Sequence, residues 1–185
     1  LRFIFDNNYF TDPFQGIPKG GYTAIFEKML DGCDVELGVD FLEDKEGWLG
    51  RADAVVFTGP IDEYYGYCYE PLEYRALRFE HEVHDCPNVQ GVAVMNYTDA
   101  ETPYTRTIEH KHFEFGRQEK SVVSKEYPCD WHVGEEHANR LRFARYKELA
   151  DKEEKVHFGG RLGEYRYYDM QDTVKSALAK AEEWL

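Results

Sequence analysis

The sequence has no long apolar run and comparatively little positive charge. None of its apolar runs approaches the 18 residues that a membrane-spanning helix needs, so we expect no membrane segment. Lys and Arg number 22 against 36 Asp and Glu, and the net charge is −14. Nucleic acid needs clustered cations to neutralise its phosphates, so we exclude it as a general partner. A small anionic ligand stays open, because a few well-placed arginines could hold it.

The cysteines lack the spacing of a metal or disulfide framework. Cys33, Cys68, Cys86 and Cys129 are scattered without a CxxC pair, and we expect reduced thiols and a cytoplasmic protein. The opening segment LRFIFDNNYF has neither a signal peptide nor an initiating methionine, so we expect a fragment of a longer protein. The 185 residues are 42% hydrophobic and 16% aromatic, which predicts a globular chain with either one sizeable core or one large domain plus a piece of another.

Alternating and short apolar segments predict more strands than helices. The segment DGCDVELGVDFL alternates through Val35, Leu37, Val39 and Phe41, which predicts a strand with one buried face. The run ADAVVFTGP predicts a strand that is buried on both faces. Further strands are predicted in LRFIF, the second half of IDEYYGYCYEPLEYRALRFEHEV, VQGVAVMN, YTRTIEHKHFEF, KSVVSKEY and KVHFGG. Consecutive strands between about residues 74 and 126 favour antiparallel pairing.

Three segments have helical spacing of apolar residues. They are YTAIFEKML, HANRLRFARYKELADKE and the stretch from Met170 to Leu185. Asp169 is the predicted N-cap of the last helix. The predicted fold class is therefore α+β, a mostly antiparallel sheet with a few flanking helices.

His110 and His112 resemble a metal-binding pair, because residues two apart on a strand point to the same face. A third ligand would have to come from elsewhere in the chain, and zinc sites usually also have a hydrogen-bonding partner behind each ligand. A polar strand face with satisfied imidazoles is the favoured alternative, and we expect no metal.

Two glycine turns follow predicted strands. Gly59 and Pro60 end an apolar strand, and Gly159-Gly160 ends KVHF just before Arg161. Glycine lets backbone approach a ligand closely, although an ordinary turn gives the same pattern. The helix predicted after Asp169 adds free N–H groups that favour an anionic or polarisable ligand.

Two arginines stand out in so acidic a chain. Arg2 opens a predicted strand and Arg106 lies beside another. Their guanidinium forks suit phosphate oxygens, so together they could clamp a diphosphate, whereas surface ion pairs are the simpler alternative. Asn96 could supply an amide to a sugar or phosphate, or merely end a strand.

Five blocks of the sequence, in order, resemble the UDP-galactopyranose mutase family. They are RFIFDNNYFTDPFQGIPKGGYT, VVFTGPIDEYYGY, LEYRALRFE, VMNYTDAETPYTRTIEHKHF and FGGRLGEYRYYDM, and they cover nearly the whole chain. The resemblance implies an isomerase that interconverts UDP-galactopyranose and UDP-galactofuranose with reduced FAD, feeding galactofuranose into surface polysaccharide. In this family the flavin N5 attacks the anomeric carbon as UDP leaves, while the protein positions and neutralises.

The resemblance also implies roles for individual residues. Arg2 and Arg106 match the family's diphosphate-binding arginines, and Asn96 matches an asparagine of the substrate pocket. Tyr167 and Asp169 match the family's YRYxDM stretch, with Tyr167 near the phosphates. The positions that match residues along FAD are Gly59, Pro60, Gly160, Arg161 and Met170. No side chain is expected to be the catalytic nucleophile.

The chain departs from the family pattern in two ways. It lacks the G-x-G-x-x-G turn that holds the FAD pyrophosphate, and it lacks the family's helical substrate region. We therefore expect a C-terminal portion, inactive alone, with FAD bound mainly by the missing N-terminal part. Where the family has PYYPI, this chain has GEEHANRLRF instead. We favour a loop missing from this sequence as the explanation over an altered site.

The expected division assigns 1–52 and 72–130 to a substrate-side sheet, and 53–71 and 138–185 to segments completing the FAD-binding domain. Three alternatives stay open: another amine-oxidase-like flavoprotein, a non-catalytic UDP-sugar binding module, and a purely structural domain. A homodimer is a further option for the parent protein.

Overall fold

The computed structural model describes residues 12–129 and 136–184, and Arg2 and the predicted strand LRFIF lie outside them. The strands are β1 (Val55–Phe57), β2 (Ala76–His84), β3 (Val94–Asn96), β4 (Arg106–Glu109), β5 (Ser121–Cys129) and β6 (Val156–Phe158). The α-helices are α1 (Thr23–Met29), α2 (Lys45–Arg51), α3 (Ile61–Tyr64), α4 (Glu136–Ala150), α5 (Gly160–Gly163) and α6 (Met170–Trp184), and 3-10 turns span Phe41–Asp44 and His110–Glu114.

The described chain divides into two compact units. The sheet unit contains residues 12–37 and 77–129, and the aromatic unit contains 38–76 and 136–184. Helices and strands occur in both units, so the predicted α+β class is confirmed.

The sheet unit is built on four strands in the order β2-β5-β4-β3. β4 pairs antiparallel with β3 on one side and with β5 on the other, which confirms the predicted antiparallel pairing. The register sets Arg106 opposite Asn96 in β3 and opposite Glu126 in β5. Residues that face each other in this way share one face of the sheet.

The aromatic unit is organised around two short parallel strands. β1 pairs with β6 so that Phe57 lies beside Phe158. The Tyr64 ring packs edge-on against Phe158 at 4.9 Å between centroids and lies 5.1 Å from Phe57. Such tilted ring pairs are the favoured geometry for aromatic quadrupoles. The buried hydrophobic core of this unit is Phe57, Ile61, Tyr64, Leu72, Tyr146, Val156 and Phe158.

Buried side chains fix the long connection that follows β1. The Asp62 carboxylate accepts hydrogen bonds from Leu72 N at 2.8 Å and from Tyr74 Oη at 3.3 Å. The Tyr146 hydroxyl on α4 accepts from Tyr69 N at 3.0 Å and donates to Glu70 O at 2.8 Å. Backbone groups that have no strand partner are thereby satisfied.

The prediction of a strand in DGCDVELGVDFL is wrong. The backbone there is irregular, and Val35, Leu37 and Val39 are exposed. Gly38 has φ +70°, a left-handed conformation that interrupts extended backbone, and within the described residues no strand pairs with this segment. Alternation without a partner does not produce a strand. Helix α2, which follows shortly afterwards, was not predicted.

Two other sequence expectations need correction. β1 is not buried on both faces within the described part of the chain, because Val56 is 56% exposed. β4 ends at Glu109, so His110 and His112 lie in a 3-10 turn and not on a strand. The apolar stripes of α1 and α6 form helices as predicted, but Met29, Met170 and Leu178 are exposed.

No helix among the described residues combines the length and apolar character needed to cross a membrane. All four cysteines are free thiols, with Cys33 and Cys68 exposed.

Candidate functional site

A polar row crosses three strands of the sheet unit. Asn96 ends β3, Arg106 begins β4 directly opposite it, and Glu126 on β5 lies opposite Arg106. Tyr97 N donates to Thr105 O at 3.0 Å, so the adjacent Asn96–Arg106 pair is of the non-hydrogen-bonded type. Opposing side chains approach each other most closely in that type of pair. The register thus brings together two residues that the sequence predicted as substrate ligands.

Glu126 orients the guanidinium of Arg106. Arg106 Nε lies 3.3 Å from Glu126 Oε1, and the Thr105 hydroxyl donates to the same oxygen at 3.1 Å. The Glu126 side chain is 11% exposed whereas that of Arg106 is 44% exposed. The carboxylate therefore holds the inner edge of the guanidinium, and its outer edge is accessible to an anion. Sequence analysis missed Glu126, because only the strand register assigns it to Arg106.

Glu109 is a buried carboxylate at the other end of β4. It is fully buried, and it accepts hydrogen bonds from Val89 N at 3.1 Å, Gln90 N at 2.9 Å and the Ser121 hydroxyl. His112 Nε2 lies 3.1 Å from its Oε2. Burial by itself raises the pKa of Glu109, but the hydrogen bonds from Ser121, Gln90 and Val89, together with the nearby His112 ring, outweigh that effect and lower the pKa to about 2. The ionised carboxylate ties the segment before β3 to β4 and β5.

The two histidines of the predicted metal pair have separate partners. His110 Nε2 lies 2.6 Å from the Ser124 hydroxyl, which also lies 2.7 Å from His81 Nδ1. His112 instead approaches Glu109. In residues 12–129 and 136–184, no group of three or more His, Cys, Asp and Glu side chains is arranged to hold a metal ion.

The aromatic unit brings its two glycine turns together. Gly59 follows β1 and Gly160 follows β6, the parallel strand beside it. Gly160 has φ +74°, which favours glycine, and a Cβ there would lie 3.6 Å from Thr58 Cβ. A Cβ at Gly163 would lie 3.0 Å from Phe57 O, so the backbone of α5 approaches the end of β1 closely. Ligands of parallel sheets bind at this carboxyl end of the strands.

The remaining predicted site residues also lie in the aromatic unit. Pro60 is the N-cap residue of α3. The Arg161 guanidinium lies 5.0 Å from the ring centroid of Tyr167, whose side chain is largely exposed. Asp169 immediately precedes α6, and its carbonyl oxygen accepts from Thr173 N at 3.0 Å and Thr173 Oγ1 at 3.1 Å, the first of these being the intrahelical bond that an N-cap residue accepts. Met170 begins α6 and is exposed.

Comparisons with known proteins identify the family. The model of the family described as GLF, UDP-galactopyranose mutase, matches residues 1–167. A Klebsiella pneumoniae protein named probable UDP-galactopyranose mutase is 39% identical, over 100% of this chain and 50% of the relative. An Escherichia coli dTDP-fucopyranose mutase is 37% identical, over 98% of this chain and 52% of the relative. A Mycoplasma pneumoniae UDP-galactopyranose mutase is 34% identical, over 97% of this chain and 51% of the relative.

The chain thus spans about half the length of these relatives. The family match extends from the first residue through Tyr167, and so includes the polar row of the sheet unit and both glycine turns of the aromatic unit. The chain belongs to the UDP-galactopyranose mutase family.

Proposed function

We propose that the parent protein interconverts UDP-galactopyranose and UDP-galactofuranose. The observation that carries the proposal is the polar row, in which Asn96 and Arg106 face each other and Glu126 orients the guanidinium. Arg106 binds the diphosphate through the outer edge of its fork, the geometry in which arginine recognises two phosphate oxygens. Asn96 donates its amide to the adjacent phosphate or sugar. Arg2 supplies a second fork.

The local cation is essential because the chain as a whole repels anions. Its net charge of −14 disfavours a nucleotide diphosphate at long range. At Arg106 the guanidinium is already oriented by a nearly buried carboxylate, so little side-chain entropy remains to be lost when the diphosphate binds. The row is therefore a preorganised anion site in an acidic protein.

The glycine turns of the aromatic unit fit a flavin nucleotide. Gly160 and Gly163 let the backbone of α5 pack closely against the carboxyl ends of β1 and β6. Gly59, Pro60, Gly160, Arg161 and Met170 would lie along FAD. Reduced FAD would supply the nucleophile that covalently holds the sugar. Tyr167 and Asp169, which match substrate-contacting positions of the family, would contact the substrate.

Most of the FAD contacts would come from the half of the protein that this chain lacks. A parallel sheet is normally covered on both faces and has more than two strands, yet β1 and β6 pair only with each other in the described residues. Val56 and the stripe of Met170, Val174 and Leu178 on α6 are exposed. Since the relatives are about twice as long, we assign the aromatic unit to a domain completed by the other half and the sheet unit to the substrate side, so 38–52 and 72–76 move from the expected substrate side to the FAD-binding side.

Ligand affinity tests the role of Arg106. In the full-length protein with oxidised FAD, UDP-galactopyranose binding measured by calorimetry is expected to weaken about 10- to 100-fold in Arg106→Ala, the scale of a lost charge-assisted hydrogen-bonding group. Arg78→Ala is the matched control, because Arg78 lies in the same sheet but packs on the Tyr127 ring. Unchanged affinity in Arg106→Ala, or equal losses in both variants, would contradict the proposal.

A mutase for dTDP-fucopyranose is the second candidate, because the relative with that name is 37% identical over nearly the whole chain. Turnover of the two sugar nucleotides by the full-length reduced protein separates the candidates. Binding of either one without turnover would favour a UDP-sugar or dTDP-sugar binding module instead.

A further inference from the structure

Asn96 lies on the least supported strand of the sheet unit. β3 has three residues and is at the edge of the sheet, where it pairs only with β4. A short edge strand has few ladder hydrogen bonds and opens easily. An amide that contacts ligand from the end of such a strand needs support from elsewhere.

The Gln90 side chain supplies a bridge between β3 and β4. Its Nε2 donates to Val92 O at 2.9 Å and to Ala93 O at 3.3 Å, in the segment that enters β3. Its Oε1 accepts from the Thr107 hydroxyl on β4 at 2.6 Å. One carboxamide therefore connects the beginning of β3 to the residue that follows Arg106.

Thr107 is contacted from both ends of β3. Its side chain is buried, and the Tyr97 hydroxyl lies 3.5 Å from its Oγ1. Gln90 precedes β3 and Tyr97 follows it, so the threonine hydroxyl connects to both flanks of the strand. Glu109 holds the backbone of Gln90 in place, because its carboxylate accepts a hydrogen bond from Gln90 N at 2.9 Å.

The network lies on the side of β4 away from the proposed ligand. Adjacent residues on a strand point to opposite faces, so Thr107 points away from the face that Arg106 and Asn96 share. Gln90 bonds the Thr107 side chain and hence belongs to that opposite face. It can affect the ligand only through the strands.

We propose that Gln90, acting through the Thr107 hydroxyl, is a positioning residue that holds Asn96 beside Arg106. The inference rests on the proposed function, in which this pair binds the sugar nucleotide. It adds to that function a residue that never touches substrate yet determines substrate affinity.

A double-mutant cycle tests the inference. UDP-galactopyranose affinity is measured by calorimetry on the full-length protein with oxidised FAD, for Gln90→Ala, Asn96→Ala and the double variant. Gln90→Ala is expected to weaken binding about 5- to 10-fold in the native background, and less than about 2-fold in the Asn96→Ala background, since coupled residues are non-additive. Equal losses in both backgrounds, or no loss in the native one, would overturn it.

Thr107 gives an independent arm with matched variants. Thr107→Val keeps the shape but removes the hydroxyl, so it should reproduce the loss seen for Gln90→Ala, while Thr107→Ser should bind almost normally. This arm decides the inference if Gln90→Ala does not fold. Equal behaviour of the Val and Ser variants would overturn it.

The two proposals fail in different ways. If Arg106→Ala weakens binding while Asn96→Ala and Gln90→Ala do not, the positioning inference fails and the diphosphate site survives. If neither Arg106→Ala nor Asn96→Ala changes affinity, the proposed function fails as well.

Discussion

The interiors of the two units contain different kinds of buried side chain, apolar in one and polar in the other. Among the described residues, every buried apolar side chain except Val123 belongs to the aromatic unit. The sheet unit instead buries polar side chains: Thr107, Glu109, Ser121, Ser124 and Glu126. The aromatic unit buries just two polar groups among its described residues, Asp62 and Asn139.

The two kinds of buried side chain have different effects: apolar ones mainly stabilise a unit, and hydrogen-bonded polar ones mainly specify the arrangement of its strands. Apolar burial is non-directional and stabilises in proportion to area, which suits a scaffold that presents glycine turns. Hydrogen bonds add less net stability, but they are directional, and a network of them specifies one arrangement of strands. The sheet unit has such a network next to Arg106 and Asn96, the pair that the proposed function requires to be oriented.

The largest stability effect is expected in the aromatic unit. Phe158 packs against Phe57 and Tyr64, so Phe158→Ala should lower the free energy of unfolding of this unit by about 3–5 kcal/mol. Val123→Ala removes only two methyl groups from the one buried apolar side chain of the described sheet unit, and it should cost about 2 kcal/mol or less. Hydrogen exchange read by mass spectrometry reports each unit separately. A larger loss for Val123→Ala would reverse the comparison.

An intermediate effect is expected from the buried carboxylate of the sheet unit. Glu109→Gln keeps the shape but replaces a charged acceptor, so it should cost the sheet unit about 1–3 kcal/mol. Urea unfolding followed through NMR signals of β4 and β5 measures this loss. Equal stability of the variant and the native protein would show that the network contributes little.

The same variant has a pH signature. The pKa of Glu109 is lowered from 4.5 to about 2 on folding, so its contribution is complete above about pH 4.5 and is lost as the pH falls towards 2. The stability difference between native protein and Glu109→Gln should therefore be largest near pH 6 and shrink by pH 3. A difference that grows on acidification would contradict the assigned direction.

The smallest effect is expected at the surface. Lys120 and Asp85 form an ion pair in the sheet unit, but their side chains are 68% and 83% exposed. Lys120→Ala should therefore change stability by less than about 0.5 kcal/mol. The same urea titration checks this, and a loss above about 1 kcal/mol would mean that exposed charge, and not buried polarity, holds the unit.

Strand alternation was a sound guide only where a partner strand exists. The consecutive segments predicted as strands from 74 to 126, two of which alternate, do form a sheet, because each has a neighbour to complete its hydrogen bonds. DGCDVELGVDFL alternates equally well but contains left-handed Gly38 and pairs with nothing in the described residues. Periodicity describes which side a residue would face and does not supply the neighbour.

The substrate roles of Arg106 and Asn96 were expected from the resemblance to a family and stay predictions, whereas the amino-acid sequence by itself determined the class of most elements and the glycine turns after β1 and β6. Those are local properties, set by residue type and spacing. Only the tertiary structure decided that Glu126 lies against Arg106, that Gln90 and Thr107 support β3, and that the stripe on α6 is exposed. Each of these depends on strand register or on packing between segments distant in the chain, and register is chosen by the whole sheet at once.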